Sequence, residues 1–323
     1  MIAVSQSELA MWKRCRRQWY LRYYLGMKLE RERPVGPSPL GTRVHAAFEA
    51  AYGYGLDALA ALHVAYALAI EDNGDFEKDL LAERELASAM VSGCIEWLAE
   101  NAMDANLRVV ATEQDVTVPS GIEGISLRGK LDQVAYDELS GATGFLDWKT
   151  SANFDNHEAT DQSPQFRFYS LLMKLASRVP EEVVWGGWVR TLRRVKRGEK
   201  SKPPYYEQTP FWHTPDQLDA TMRGTRMMLR EIQAVREGFD ELYAAGNVLT
   251  EVNRVQQTVT YPNWRKKDCS WDCSFTHVCP MMDDGSDWTG ALIRSGRYVQ
   301  GDPYAYYGDS LITAIRERLG ATT

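Results

Sequence analysis

Two stretches, Ile125 to Tyr136 and Gly144 to Trp148, have the β-branched and aromatic content of strands, and the polar turn Asp137-Glu138-Leu139-Ser140-Gly141 joins them. This hairpin constrains the chain more than any other feature, because of the charges it carries. Asp147 and Lys149 are separated by one residue. On a strand they point to the same face. Asp132 lies fifteen residues before Asp147, a distance that suits two adjacent antiparallel strands. A carboxylate in this position can hold a divalent cation. The ammonium can orient a water or steady a phosphate. Taken alone, Asp-x-Lys also describes a strand end with two solvated charges. Two carboxylates and one ammonium around a metal are the minimum set for metal-assisted phosphodiester hydrolysis.

The order of the surrounding segments favours a site. Gly129-Lys130-Leu131-Asp132 precedes Asp147-Trp148-Lys149, and a helix over Asp161 to Ser177 follows, carrying Gln165 and Tyr169. These last two are four apart and share a helix face. Upstream, Gly41-Thr42-Arg43-Val44-His45 opens a helix after the Pro/Gly-rich link from Pro34 to Pro39. With these residues the chain resembles the PD-(D/E)XK nucleases, in particular their RecB-like branch, which includes CRISPR-associated RecB-like exonucleases. The resemblance runs from about Ser5 to about Asp284.

The resemblance implies an α/β fold. Its core is restriction-endonuclease-like, a mixed sheet flanked by helices, with a helical insertion and a cluster region formed by both termini. It implies that His45, Asp132, Asp147 and the main-chain carbonyl of Trp148 ligate Mg²⁺ or Mn²⁺. A neutral imidazole suits a transition metal better than magnesium, so manganese should be accepted readily. Lys149 would position water and offset negative charge on the phosphate. Gln165 would orient Lys149 or the scissile phosphate, and Tyr169 would support Gln165 or touch the DNA backbone. Glu113, on the preceding strand, is a further candidate as a partner of Lys149, or a half-exposed strand charge.

Five cysteines stand at positions 15, 94, 269, 273 and 279. The chain opens without an apolar leader or signal peptide, so a cytoplasmic location with reduced thiols is expected. Clustered cysteines in that compartment usually mean metal. RecB-like nucleases often bind a 4Fe–4S cluster through one cysteine near the N-terminus and three near the C-terminus. That resemblance assigns Cys15, Cys269, Cys273 and Cys279 to such a cluster, with Cys279 followed by Pro280. The three residues between Cys269 and Cys273 depart from the commoner spacing of two. Structural zinc and unligated thiols are the alternatives. Cys94 sits in an apolar helical stretch and reads as a buried core residue.

The chain has 323 residues and a formal net charge of −7. The length allows a full core. No apolar run approaches a membrane span. An acidic total does not exclude nucleic acid, since binding needs only a local basic surface. Two runs qualify. One is Lys13-Arg14 with Arg16-Arg17. The other extends from Arg190 to Lys202 and is the favoured DNA contact, through Arg193, Arg194, Lys196 and Arg197. Either run is otherwise a solvated face.

The expected organisation is an N-terminal helix with the first cysteine over 1–30, a helical region with His45 over 40–105, and the nuclease core with a long helix over 106–245. A cysteine segment over 260–285 and a tail over 286–323 follow. Ser5-x-x-Glu8 reads as a capping box opening a helix to about Tyr24. Further strands are expected over Val183 to Leu192 and Tyr205 to His213. The activity implied is a metal-dependent deoxyribonuclease, an exonuclease in recombination, repair or phage DNA processing. The alternatives are a CRISPR adaptation nuclease and an inactive nuclease-fold subunit that binds DNA. There is no Walker motif, so a helicase motor would be a partner, as would a recombinase or integrase.

Overall fold

A computed structural model describes residues 2–177, 185–196, 198, 201–245, 249–263, 269, 273–304 and 310–321. The chain divides into two compact units. One gathers Met1–Glu32, Thr117–Arg128 and Ala220–Gly308, the other Arg33–Val116, Gly129–Asp219 and Asp309–Thr323. Two long strands, β3 (Leu107–Ile122) and β4 (Ile125–Asp137), pair with each other and contribute residues to both units.

In the first unit, β1 (Ile2–Ser5) runs parallel to the start of β4, from the Ile2–Ile125 pair to Ser5–Arg128. Helix α1 (Gln6–Arg14) follows directly. Ser5 caps it, its Oγ accepting the Glu8 N–H at 3.3 Å. Only half of the expected capping box forms. The Glu8 carboxylate is fully buried and accepts from Trp19 Nε1 at 2.9 Å and Arg236 Nη2 at 3.0 Å instead. The Tyr304 hydroxyl donates to it as well, and these three side-chain donors outcompete one local amide.

The expected single helix to Tyr24 is also interrupted. Cys15 is extended, with φ −160° and ψ 110°, between α1 and a short helix α2 (Arg16–Trp19). A π-helical turn over Tyr20–Tyr24 completes the segment. A short strand β2 (Met27–Leu29) pairs antiparallel with Tyr298–Gln300.

In the second unit, β4 continues antiparallel to β5 (Thr143–Ser151) through pairs from Tyr136–Thr143 to Gln133–Leu146. The turn between them is built as its residues predict. Asp137 accepts from the Leu139 amide and Ser140 hydroxyl, and Gly141 takes φ +71°. Beyond β5 lie a short α6 (His157–Asp161) and α7 (Pro164–Ala176); α7 is the expected Asp161–Ser177 helix, begun three residues later because Pro164 starts its first turn. β6 (Trp185–Arg193) pairs parallel with β5, and β7 (Tyr206–His213) antiparallel with β6. The first residues of the expected Val183–Leu192 strand lie outside the described residues. The fold is therefore mixed α/β with a sheet of both parallel and antiparallel pairs, in the expected strand–strand–strand–helix–strand order.

α3 (Pro37–Tyr54) and α5 (Glu77–Glu100) pack against β5 and β6 of this sheet, and α4 (Ala58–Asp72) packs on both helices. Val44, Phe48, Tyr66, Met90 and Cys94 pack with Leu146 and Trp148 of β5 in one core, and Phe48 stacks on Trp148 at 3.8 Å between ring centroids. Cys94 is thus a core residue, as its neighbours predicted. Gly41 does not start its helix. Pro37 does, and Gly41 instead lets the second turn of α3 approach β5, where a Cβ would meet Thr150 Oγ1 at 3.3 Å. No helix among the described residues is long and apolar enough to cross a membrane.

Gly187 marks where the sheet is tightest. It pairs with Phe145, and a Cβ there would overlap the Phe145 carbonyl and main chain. Gly129 is different, since a Cβ would meet the tip of the Leu172 side chain at 2.5 Å. A side-chain tip can turn away, and a paired backbone cannot. Gly187→Ala is expected to cost about 3 kcal/mol and Gly129→Ala about 1 kcal/mol. Urea unfolding midpoints compared at unchanged slope would measure both.

Candidate active site

The hairpin brings Asp132 and Asp147 opposite each other, one position past the last Gln133–Leu146 pair. Because the strands part there, Asp132 Oδ2 can turn to accept the Trp148 N–H at 2.9 Å. The same oxygen lies 3.2 Å from His45 Nδ1, which α3 delivers to the end of the hairpin. Asp147 is 1 % exposed, and its Oδ2 lies 2.7 Å from Lys149 Nζ. Lys149 and Phe145 share the face of Asp147. α7 packs there, with Phe166 5.8 Å from the Lys149 ammonium and Tyr169 edge-on to Phe145. Gln165 Nε2 donates to the Tyr169 hydroxyl at 3.2 Å. His45, Asp132, Asp147 and Lys149 therefore converge, and the Gln165–Tyr169 pair sits on the helix covering that face.

The charges are strongly coupled. Burial disfavours the Asp147 carboxylate. Lys149 opposes that effect, Asp132 adds to it, and the pKa rises to about 6. For Asp132, burial is outweighed by His45, Lys149 and the Trp148 amide, and its pKa falls. For His45, burial is outweighed by Asp132, and its pKa rises.

Glu113 pairs with Lys130 at 2.6 Å. It takes φ +47°, a left-handed conformation that costs a non-glycine residue about 1 kcal/mol or more. Burial and the Asp132 charge raise its pKa against the pull of Lys130. Lys130 received no role from the sequence, although it stands two residues before Asp132 on the same strand face. Phe166 was also missed; its position one residue after Gln165 gave no signal of a contact with Lys149.

Among the described residues no three acidic, histidine or cysteine side chains are gathered closely enough to cage a metal ion. The donor set nonetheless fits a hard divalent cation. Asp147 Oδ2 is buried, and beyond its ion-pair contact with Lys149 it has no hydrogen-bond partner. Asp132 and the His45 ring nitrogen stand beside it in charge coupling. Two buried carboxylates facing one ammonium repel each other, and a bound cation would offset that cost.

A pH effect follows for the metal-free protein. The fold favours the proton on Asp147, so this group's contribution to stability is present at low pH and is lost as pH rises from the ordinary 3.8 to about 6. Asp147→Asn is expected to stabilise the metal-free protein near pH 7 by at most about 3 kcal/mol, and to change little near pH 4. Chemical denaturation with chelator at both pH values checks this.

The basic residues from the second half of β6 onward divide. Arg190 is 1 % exposed and bonds Gln208, Asp104 and Tyr52, so it belongs to the scaffold. Arg193 pairs in register with Ser151, two residues past Lys149, and its guanidinium donates to the carbonyls of Lys202 and Pro204. The Arg194 N–H donates to the Ser151 carbonyl. Lys196 makes an exposed ion pair with Glu85 at 2.9 Å. Arg197 lies outside the described residues.

In the first unit, Cys15, Cys269, Cys273 and Cys279 line one pocket with Arg17 and Phe275. Extended Cys15 turns its Sγ to the Asn263 N–H at 3.4 Å. Arg17, read from sequence as part of a basic surface, is buried and holds Asp283 through two bonds of 2.7 and 2.8 Å, with Cys279 Sγ at 3.8 Å. Burial pushes the Cys273 thiol up to about 11. The Phe275 N–H opposes this, and the thiols of Cys15, Cys279 and Cys269 add to it.

A family model described as the PD-(D/E)XK nuclease superfamily matches residues 3–280. Comparison with curated proteins gives no match.

Proposed function

Because the chain belongs to the PD-(D/E)XK nuclease superfamily, whose members hydrolyse phosphodiester bonds, we propose that it is a divalent-metal-dependent deoxyribonuclease of the RecB-like branch, acting from DNA ends. The observation that carries this reading is the buried Asp147 beside Lys149, with Asp132 and His45 adjacent. Asp132, Asp147, His45 and the Trp148 carbonyl would hold Mg²⁺ or Mn²⁺. When bound, the cation supplies Lewis-acid stabilisation of charge on the phosphate.

The chain's own residues do the rest. Lys149 is aimed by Asp147 and limited by the Phe166 ring, so its ammonium is poised to offset negative charge developing on the phosphate. Asp132, fixed by the Trp148 amide, holds the His45 ring in one orientation. Gln165 and Tyr169 form a hydrogen-bonded pair that can hold a phosphate oxygen or the strand backbone. Lys130 and Glu113 neutralise each other next to Asp132, which limits like-charge repulsion at the site. An inactive DNA-binding subunit gains nothing from keeping Asp147 buried near Asp132 at a cost in stability.

The second element of the proposal is a 4Fe–4S cluster on Cys15, Cys269, Cys273 and Cys279. The shared pocket of the four thiols supports it, as does the buried Arg17 guanidinium next to Cys279. The third is a DNA contact through Arg193, Arg194, Lys196 and Arg197. The parallel β5–β6 register supports it by bringing Arg193 to the strand end that carries Lys149. An exposed pair such as Lys196–Glu85 is worth little and can yield to a phosphate. Neutralising Arg193, Arg194 and Lys196 together is expected to flatten the log–log salt dependence of DNA binding by about one unit for each phosphate left without its cation. An unchanged slope would mean that these side chains face only solvent.

The function is tested with end-labelled linear, circular and single-stranded DNA, with and without Mn²⁺. Metal-dependent loss of linear DNA with circular DNA spared is the expected result. No cleavage of any substrate with metal present would refute the proposal.

A further inference from the structure

We infer that the first unit carries a binding groove for single-stranded nucleic acid, built by the end of α1, α8 (Pro215–Ala244) and the Tyr261–Asn263 segment. Its cavity is about 450 Å³, and every residue lining it belongs to that unit. The inference rests on the nuclease reading only for the identity of the ligand.

The groove has the two components that a single strand requires, cations for the backbone and flat faces for the bases. Lys13, Arg14 and Arg16 line it, against one carboxylate, Glu231. This is a local positive excess in a chain whose formal net charge is −7. The flat faces are in place as well. Glu231 Oε2 accepts from Trp12 Nε1 at 3.2 Å and Arg16 Nη2 at 2.7 Å. One carboxylate therefore lays the Arg16 guanidinium over the Trp12 ring, 4.5 Å from its centroid. Arg16 also lies 5.5 Å from the centroid of Tyr261, which is 51 % exposed. A half-exposed tyrosine ring steadied by a pre-oriented guanidinium offers a base its exposed surface for stacking.

The wall bearing Tyr261 is tied down. Asn263 donates from Nδ2 to the Arg14 carbonyl at 2.6 Å and from its main-chain N–H to Cys15 Sγ. Lys13 is exposed at the rim, placed for a phosphate. A base edge is not read by any of these groups, so the groove should accept strands with little sequence preference. An acidic peptide could use the cations but has no bases to place on Tyr261.

The test is fluorescence anisotropy of the full chain with a labelled oligothymidylate of about 20 nucleotides, in chelator so that metal-dependent cleavage is off. Tyr261→Ala is expected to weaken binding about tenfold or more, and Tyr261→Phe to restore it. Lys13→Glu should lower the salt slope by about 0.7 or more. Unchanged affinity in both Tyr261→Ala and Lys13→Glu would overturn the groove. So would failure of the wild-type chain to bind the oligonucleotide. Poly-glutamate binding as tightly as the oligonucleotide, with the same loss in Tyr261→Ala, would overturn the nucleic-acid assignment. The two readings fail separately. A chain that cleaves DNA but whose variants bind normally loses the groove alone. A chain that cleaves nothing but loses strand binding in Tyr261→Ala loses the nuclease proposal alone.

Discussion

Asp147→Ala and Lys149→Ala are each expected to lower DNA hydrolysis by roughly three orders of magnitude while leaving the fold intact. Both residues lie past the stretch of β5 that pairs with β4, and β5 is held to β6 there through its main chain, so neither side chain holds the sheet together. They should differ in metal binding. Asp147 offers a buried carboxylate oxygen balanced by the Lys149 ammonium, and its loss should remove measurable Mn²⁺ binding. Lys149 carries positive charge next to that oxygen, and its loss should leave Mn²⁺ binding intact or tighter. Isothermal titration with Mn²⁺ beside a cleavage assay separates the two. Cleavage by either variant at a near wild-type rate would refute the site.

The cysteine pocket should show an effect of similar weight on stability. Replacing Cys15, Cys269, Cys273 or Cys279 by Ala is expected to bleach a brown, anaerobically purified protein and to lower its stability by about 4 kcal/mol, the scale for opening a closed loop of a hundred residues or more. Iron and acid-labile sulfide should fall together. Cys94→Ala should keep iron and colour, since Cys94 lies in the core of the other unit among Phe48, Met90 and Leu98. It should cost only the packing of one small side chain. Colourless protein with one zinc per chain would replace the iron–sulfur proposal by structural zinc and leave the hydrolysis proposal untouched.

What was legible in the sequence was local. Asp132, Asp147 and Lys149 sit on one hairpin, and the period of a strand together with a short polar turn is enough to bring them together. Gln165 and Tyr169 are one helical turn apart, and their hydrogen bond follows from that spacing. Cys94 was assigned to the core from the apolar residues around it. Less was legible where a local rule competed with a distant partner. Glu8 had the spacing of a capping box, and its carboxylate went to Trp19 and Arg236. Arg17 and Arg190 read as surface charge, and each is buried on a carboxylate partner, Asp283 for one and Asp104 for the other.

The sequence by itself determined the hairpin, its charged end, the helix that follows it and the segments that carry the cysteines, because each depends on contacts within about twenty residues and on backbone periodicity. Only the tertiary structure decided which distant groups meet there. It placed His45 on Asp132 across 87 positions of chain, set Glu113 against Lys130, and broke the first helix so that the Cys15 thiol faces the pocket of Cys269, Cys273 and Cys279. Such contacts form when burial and packing repay the entropy of closing long loops, and no spacing in the sequence records that balance.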